Sequence, residues 1–366
     1  MREEQTAINI PDVTVTECKR MLLSMYKGSI DKGVPLKKLP TPFFWGPPGV
    51  GKSDSVFQLA KELEEETGKK VCVIDIRLLL FSPVDLRGVP VADANREFTN
   101  WLKPRIFDLD ASEECINIIF LDELSAAPQS VQAAAYQICL DHKIGEFTLP
   151  ENTIVIAAGN RVTDQSVSYK MPKALCNRLL HINICTDYGA WRKWAVENNI
   201  SEKVIAYLGY DSTKLCVEAE ASDLAYPTPR SWEFVSTVLK TVSDDPAMVH
   251  QLIAGCVGED SAIEFEIYCK GTSRIPDVEL ILEGDCSKRP TNHDEMYALI
   301  SRLVTVIRER HTELTTDNLE NICQYAAGFP ADYLNLFTTD LCSIKNLKEK
   351  LMKCHSFWAL LQRGGV

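Results

Sequence analysis

No two cysteines in the 366 residues are spaced C-x-x-C, although there are 13 of them. An odd count without that spacing argues against a zinc site and against a disulfide framework. The cysteines therefore read as small core hydrophobes in a reducing compartment. Cys72, Cys115, Cys139 and Cys185 lie in apolar segments, where burial is expected. No stretch reaches the ~18 consecutive apolar residues a membrane-spanning helix needs. Residues 1–5 are polar and acidic, unlike a secretory signal, so the expected location is cytoplasmic. Short-period repeats and low-complexity tracts are absent. Cations are also in deficit: 39 Lys and Arg against 51 Asp and Glu leave a net charge of −12. That balance opposes bulk nucleic-acid binding, which rests on cations neutralising phosphates, yet it leaves room for a local basic channel inside a ring. The remainder, 45% apolar and 25% charged, suits an ordinary globular chain, whose length fits two domains or a large one with an extension.

One stretch carries chemistry. Gly46-Pro47-Pro48-Gly49-Val50-Gly51-Lys52-Ser53 fits G-x-x-x-x-G-K-[ST], a loop whose backbone N–H groups close around a polyphosphate. Residues 41–45 read as the strand before it. After it, Val56, Leu59, Ala60 and Leu63 fall at helical spacing, and Gly68 closes the helix. The helix dipole favours the anion. Lys52 is expected to reach the β- and γ-phosphates and Ser53 to ligate Mg²⁺; nucleotide contacts are expected from Gly46 through Asp54.

Residues 14–32 form a helix with Cys18, Met21, Leu22 and Met25 on one face, serving either a base pocket or core packing. Residues 71–76 read as a strand buried on both faces of a parallel sheet. Residues 77–104 fit neither period and read as an inserted loop or hairpin on the sheet's rim. The apolar run 116–121 ends in Asp122-Glu123, about seventy residues beyond Lys52. Such a strand carries two carboxylates to the sheet edge where the phosphates lie. Asp122 is expected to hold Mg²⁺ and Glu123 to deprotonate the attacking water. A helix from Pro128 and a tight hairpin over 141–150 precede the strand 153–158. That strand ends at Gly159-Asn160, where the Asn amide suits either phosphate sensing or a turn. Arg178 precedes the strand 179–184 and serves either as a structural cation or as a finger directed at phosphate. Beyond residue 187 helices dominate. Thr228-Pro229-Arg230 starts one, with Arg230 placed against the dipole, where it serves either an anionic partner or as an ordinary surface cation. Met296, Leu299, Ile300, Leu303 and Ile307 form the apolar face of another, and a further one starts near Thr316.

Together these five pieces resemble the AAA+ ATPases, and within them the MoxR type of the dynein-related group. Gly46–Ser53 resembles Walker A and residues 118–123 Walker B. Asn160 matches sensor 1, Arg178 the arginine finger and Arg230 sensor 2. The insert at 85–104, the hairpin at 141–150, and the wording Ala158-Gly159-Asn160-Arg161-Val162-Thr163-Asp164, Met171-Pro172 and Asn177-Arg178 resemble MoxR members that work beside von Willebrand A domain proteins. The likeness spans roughly residues 8–243 and weakens after that. It implies an α/β fold: an αβα parallel-sheet P-loop core over 1–186, an all-α lid over 187–270 and a helical extension over 271–366. It also implies ATP and Mg²⁺ as ligands and a homo-oligomeric ring, usually hexameric, in which Arg178 acts on the neighbour's site. Arg230 would report nucleotide state to the lid, in cis or in trans. The client would be a protein, such as a von Willebrand A domain protein. The alternatives are a nucleic-acid-associated motor or McrB-like GTPase, with Arg87, Arg96, Lys103 and Arg105 lining a pore, and a non-hydrolysing switch, against which the Asp122-Glu123 pair counts.

Overall fold

The computed structural model describes residues 10–161, 171, 173–220, 222–242, 245–271, 275–290, 292–344 and 347–364. Residues 1–5, Val162, Thr163, Asp164, Pro172 and Gly365 lie outside the described residues. The chain divides into two compact units, Met1–Thr186 and Asp187–Val366.

The first unit is built on a six-stranded parallel sheet. Its strands are β1 (Asp12–Val13), β2 (Pro42–Trp45), β3 (Lys70–Arg77), β6 (Cys115–Asp122), β9 (Thr153–Gly159) and β10 (Leu180–Ile184), in the spatial order β1-β10-β2-β9-β6-β3. Period-2 alternation sorts each strand between two apolar layers. Phe44, Ile116, Ile118, Phe120, Ile154 and Ile156 join the layer that holds α1 (Val15–Asp31) and α2 (Lys52–Thr67). Phe43, Ile119, Leu121, Val155 and Ala157 face the opposite layer. Between α2 and β6 run α3 (Pro83–Arg87) and an antiparallel hairpin of β4 (Val89–Ala92) and β5 (Thr99–Leu102). The opposite layer is completed by α4 (Gln129–Asp141), through Val131, Ala134, Ala135 and Ile138. A second hairpin, β7 (Lys143–Ile144) with β8 (Phe147–Thr148), follows α4, and α5 (Lys173–Cys176) leads into β10.

Two expectations need correction. Among the described residues β3 pairs with β6 alone and is an edge strand, so its residues are half-buried or exposed apart from Ile76. An apolar run is therefore no proof of a central strand. In α1 the buried face is Cys18, Leu22, Tyr26 and Ser29, while Met21 is 48% exposed. Met21 lies roughly 100° round the helix from Leu22, outside the stripe that faces the sheet. Cys72, Cys115 and Cys139 are thiols outside any disulfide. Burial pushes the Cys139 thiol up to about 12 and, with Cys72 beside it, Cys115 up to about 11, so neither is a reactive thiolate. Cys72 and Cys185 are only half-buried.

The second unit is helical: α6 (Tyr188–Glu197), α7 (Glu202–Tyr210), α8 (Pro229–Thr241), α9 (Pro246–Val257), α10 (Glu259–Gly271), α11 (Val278–Leu282), α12 (His293–Arg310), α13 (Thr316–Ala326), α14 (Ala331–Ser343), α15 (Lys348–Leu351) and α16 (His355–Gly364). Its apolar cluster takes residues from both sides of residue 270, among them Trp232 and Phe265 before it and Leu299, Tyr325 and Phe337 after it. No helix among the described residues is long and apolar enough to cross a membrane.

Arg192 of α6 and Asp340 of α14 form a buried ion pair, with Arg192 Nη2 at 2.6 Å and Nε at 3.0 Å from Asp340 Oδ2. Arg192 Nη1 also donates to Tyr188 Oη at 2.6 Å. Burial works against the cation, but the Asp340 carboxylate and then Tyr188 together offset it and raise the guanidinium's pKa. Removing one partner of such a pair strands the other charge without water, at a cost of about 3–5 kcal/mol. Asp340→Ala is therefore expected to destabilise the helical unit by that amount in denaturant melts. A loss below about 1 kcal/mol would mean that water reaches Arg192.

Candidate functional site

Three strands end side by side at one edge of the sheet. Trp45 is in register with Gly159, and Leu121 with Ala157, so the chain leaves β2, β9 and β6 at neighbouring points. The loop from Gly46 to Gly51 continues β2, and α2 begins at Lys52. Gly46 has φ 151°, and a Cβ there would lie 2.7 Å from the Ile184 carbonyl oxygen. Conformation and space both demand glycine. Val50 is buried in the α1–α2 layer and pins the loop from beneath.

Lys52 is only 8% exposed. Its Nζ donates to the carbonyl oxygens of Gly46 and Pro47 at 2.6 and 2.9 Å and to Asn160 Oδ1 at 2.9 Å. Ser53 Oγ donates to Asp122 Oδ2 at 2.9 Å, and the other oxygen of Asp122 accepts from the Glu123 backbone N–H at 2.8 Å. The loop is thus tied to the ends of both β9 and β6. Glu123 has φ 59°, the left-handed region that residues with a Cβ rarely occupy. The conformation, costing about 1–3 kcal/mol, is held by its neighbours. Leu124 N–H donates to the Ala158 carbonyl at 2.9 Å, and the N–H groups of Ala126 and Ala127 donate to the Glu123 carbonyl at 3.0 and 3.2 Å.

Gly46, Lys52, Ser53, Asp122, Glu123 and Asn160 therefore share one region. Pro47, Pro48 and Gly49 are half-buried along the loop, while Asp54 is exposed in the first turn of α2. Arg178 is exposed on the turn between α5 and β10, its N–H donating to the Leu175 carbonyl at 3.0 Å. Among the described residues no hydrogen bond or ion pair joins its side chain to the Lys52 set. Arg230 belongs to the second unit. There it is the exposed second residue of α8, which Thr228 caps through a reciprocal pair of hydrogen bonds with Ser231.

Two participants escape the sequence reading. Ser125, buried two places after the acid pair, donates from Oγ to the Asn160 carbonyl and accepts from the Asn160 N–H, both at 3.0 Å. It packs so closely that a Cβ on Gly159 would meet its Oγ at 2.7 Å. The signal available was a small polar residue placed where an apolar one would fit. Asp75 is the other. Burial and then the nearby Asp122 carboxylate push its carboxyl above the usual range, with Arg77 opposing. No group of three His, Cys, Asp or Glu side chains among the described residues could hold a metal ion. The Ser53 hydroxyl and Asp122 carboxylate do present the hard oxygens that suit Mg²⁺.

A parallel sheet with a glycine loop at the edge where β2 ends, followed at once by a helix, defines a P-loop-type α/β core; an all-α part follows it. Residues 42–183, spanning β2 to β10, match the family described as "ATPase family associated with various cellular activities (AAA)". An AAA+ ATPase domain is therefore present. Among curated proteins none matches the chain. Similar solved structures include NtrX from Brucella abortus with ADP (14% identity, 98% of this chain and 70% of that one, TM-score 0.37). A point mutant of Thermotoga maritima RuvB matches at 14% identity over 81% of this chain and 88% of that one, TM-score 0.34. PCH-2 of C. elegans matches at 16% over 72% and 70%, TM-score 0.34. Values this low carry no argument about function.

Ser125→Ala removes the acceptor for a partly buried backbone N–H and the donor to its carbonyl, a loss of about 1–3 kcal/mol. The first unit is expected to melt several degrees lower. An unchanged midpoint would show that water replaces the hydroxyl.

Proposed function

We propose that the chain hydrolyses ATP in a Mg²⁺-dependent reaction, as a ring-forming ATPase of the MoxR type that remodels a protein partner. The observation that carries this reading is the pair of hydrogen bonds Lys52–Asn160 and Ser53–Asp122, which joins the phosphate loop to two strand ends. The donor set fits the ligands. Lys52 holds a buried ammonium beside the loop, and Ser53 with Asp122 offers oxygens to a hard cation. Ser53 and Asp122 would hold Mg²⁺, which when bound would supply positive charge against that of the phosphates.

Each residue then has a task. Gly46 through Asp54 enclose the phosphates, with Lys52 supplying the charge. Glu123 takes the proton from the attacking water, and Asn160, held by Ser125, orients that water. Arg178, exposed on its turn, reaches the γ-phosphate of an adjoining copy. Arg230 answers to nucleotide state from the helical unit, whose residues 187–270 serve as lid and 271–366 as extension. The charge of −12 favours a protein client over a nucleic acid, and a von Willebrand A domain protein is the client to try first.

Full-length protein with Mg²⁺ is expected to release phosphate from ATP; no release at ring-forming concentrations would end this reading. Glu123→Gln is expected to lower kcat by about 10²-fold or more while ATP still binds, and Lys52→Ala to abolish binding of a fluorescent ATP analogue. Arg178→Ala is expected to lose about 10³-fold in kcat with binding intact. Wild-type turnover in that variant would remove Arg178 from the machinery.

A further inference from the structure

Trp45 is the last residue of β2, directly before the phosphate loop, and Cys176 ends α5 two residues before Arg178. One side chain joins them. Trp45 Nε1 donates to His181 Nδ1 at 2.9 Å, and His181 Nε2 stands 2.7 Å from the Cys176 carbonyl oxygen. An indole N–H can only donate and a carbonyl can only accept. Both bonds form together only on a neutral imidazole that carries its proton on Nε2; an imidazolium would lose Trp45 and the other tautomer would lose both. The ring is also held by packing. It lies edge to edge with Trp45, the ring centroids 6.0 Å apart and the planes 27° from parallel, and its centroid is 6.1 Å from that of Phe43. The turn it grips is short. The Cys176 carbonyl also accepts from Leu179 N–H at 3.4 Å, and Arg178 N–H is bonded to Leu175.

We propose that His181 is a positioning residue that couples the Arg178 turn to the phosphate loop, so that the arginine a copy lends to its neighbour is set by the state of its own nucleotide site. The inference rests on the ATPase reading above. Coupling through hydrogen bonds differs from mere packing in what an isosteric change does. His181→Phe keeps a ring against Phe43 and Trp45 but loses both hydrogen bonds. His181→Gln retains one donor and one acceptor. Trp45→Phe removes only the indole donor.

Two measurements on the full chain test it. In wild type, ¹⁵N NMR of His181 is expected to show an unprotonated Nδ1 and a protonated Nε2; an imidazolium or the other tautomer at neutral pH would overturn the coupling, whatever the activity. Hydrogen exchange over residues 173–180 is expected to slow when a non-hydrolysable ATP analogue binds wild type, and not when it binds His181→Phe. With ATP, His181→Phe and Trp45→Phe are expected to lose about tenfold or more in kcat, with analogue affinity within about twofold of wild type, and His181→Gln to recover most of the rate. Wild-type kcat and exchange in both Phe variants would overturn the proposal. So would a parallel fall of kcat, affinity and melting temperature in all three, which is the mark of packing alone. If His181→Phe fails to fold, Trp45→Phe decides by the same readouts. If wild type binds the analogue but hydrolyses no ATP, the functional reading fails, while NMR and exchange still judge the coupling.

Discussion

The buried ammonium of Lys52 is the constraint on which the first unit depends. A cation taken out of water is costly unless oxygens surround it, and here Gly46, Pro47 and Asn160 supply them. Those partners come from two segments far apart in sequence, so satisfying one charge fixes the end of β9 against the loop after β2. The same groups make the site ready for an anion. A polyphosphate is a stronger partner for an ammonium than neutral carbonyls are, and little rearrangement separates one set of contacts from the other.

The parallel sheet makes this economical. Strands that all run one way bring all their carboxyl ends to one edge, where a short side chain from each strand suffices to build the site. β2 delivers the loop, β6 delivers Asp122 and Glu123, β9 delivers Asn160, and Ser125 returns from the β6 side to hold the Asn160 backbone. The hydrogen bonds of Ser125 span the adjacent ends of β6 and β9, and that of Ser53 ties the start of α2 to the end of β6, so the site acts as a brace for the sheet as well as a place for chemistry.

Much of this was legible in the residues because the chemistry is local. The glycine loop, the apolar run ending in Asp122-Glu123 and the helix face Val56, Leu59, Ala60, Leu63 are each written within a dozen residues. What stayed hidden depends on who lies alongside. β3 carries the same apolar signature as a central strand, and only sheet order reveals that it has a single neighbour. Met21 falls outside the α1 stripe because the sheet covers a narrower arc than hydrophobicity allows. Ser125 and His181 have no motif; Ser125 acts through the Asn160 backbone and His181 through the Trp45 indole, partners distant in the sequence, which no periodicity records.

The left-handed turn at Glu123 has a further consequence. Glycine would rest there without steric strain, and relief of that strain outweighs the extra freedom glycine loses on folding. Keeping a side chain at that spot therefore spends folding free energy on the placement of a single carboxylate. Random mutation screened for thermal hardiness alone should drift toward glycine at this position, so robustness and the role proposed for Glu123 pull the same codon in opposite directions.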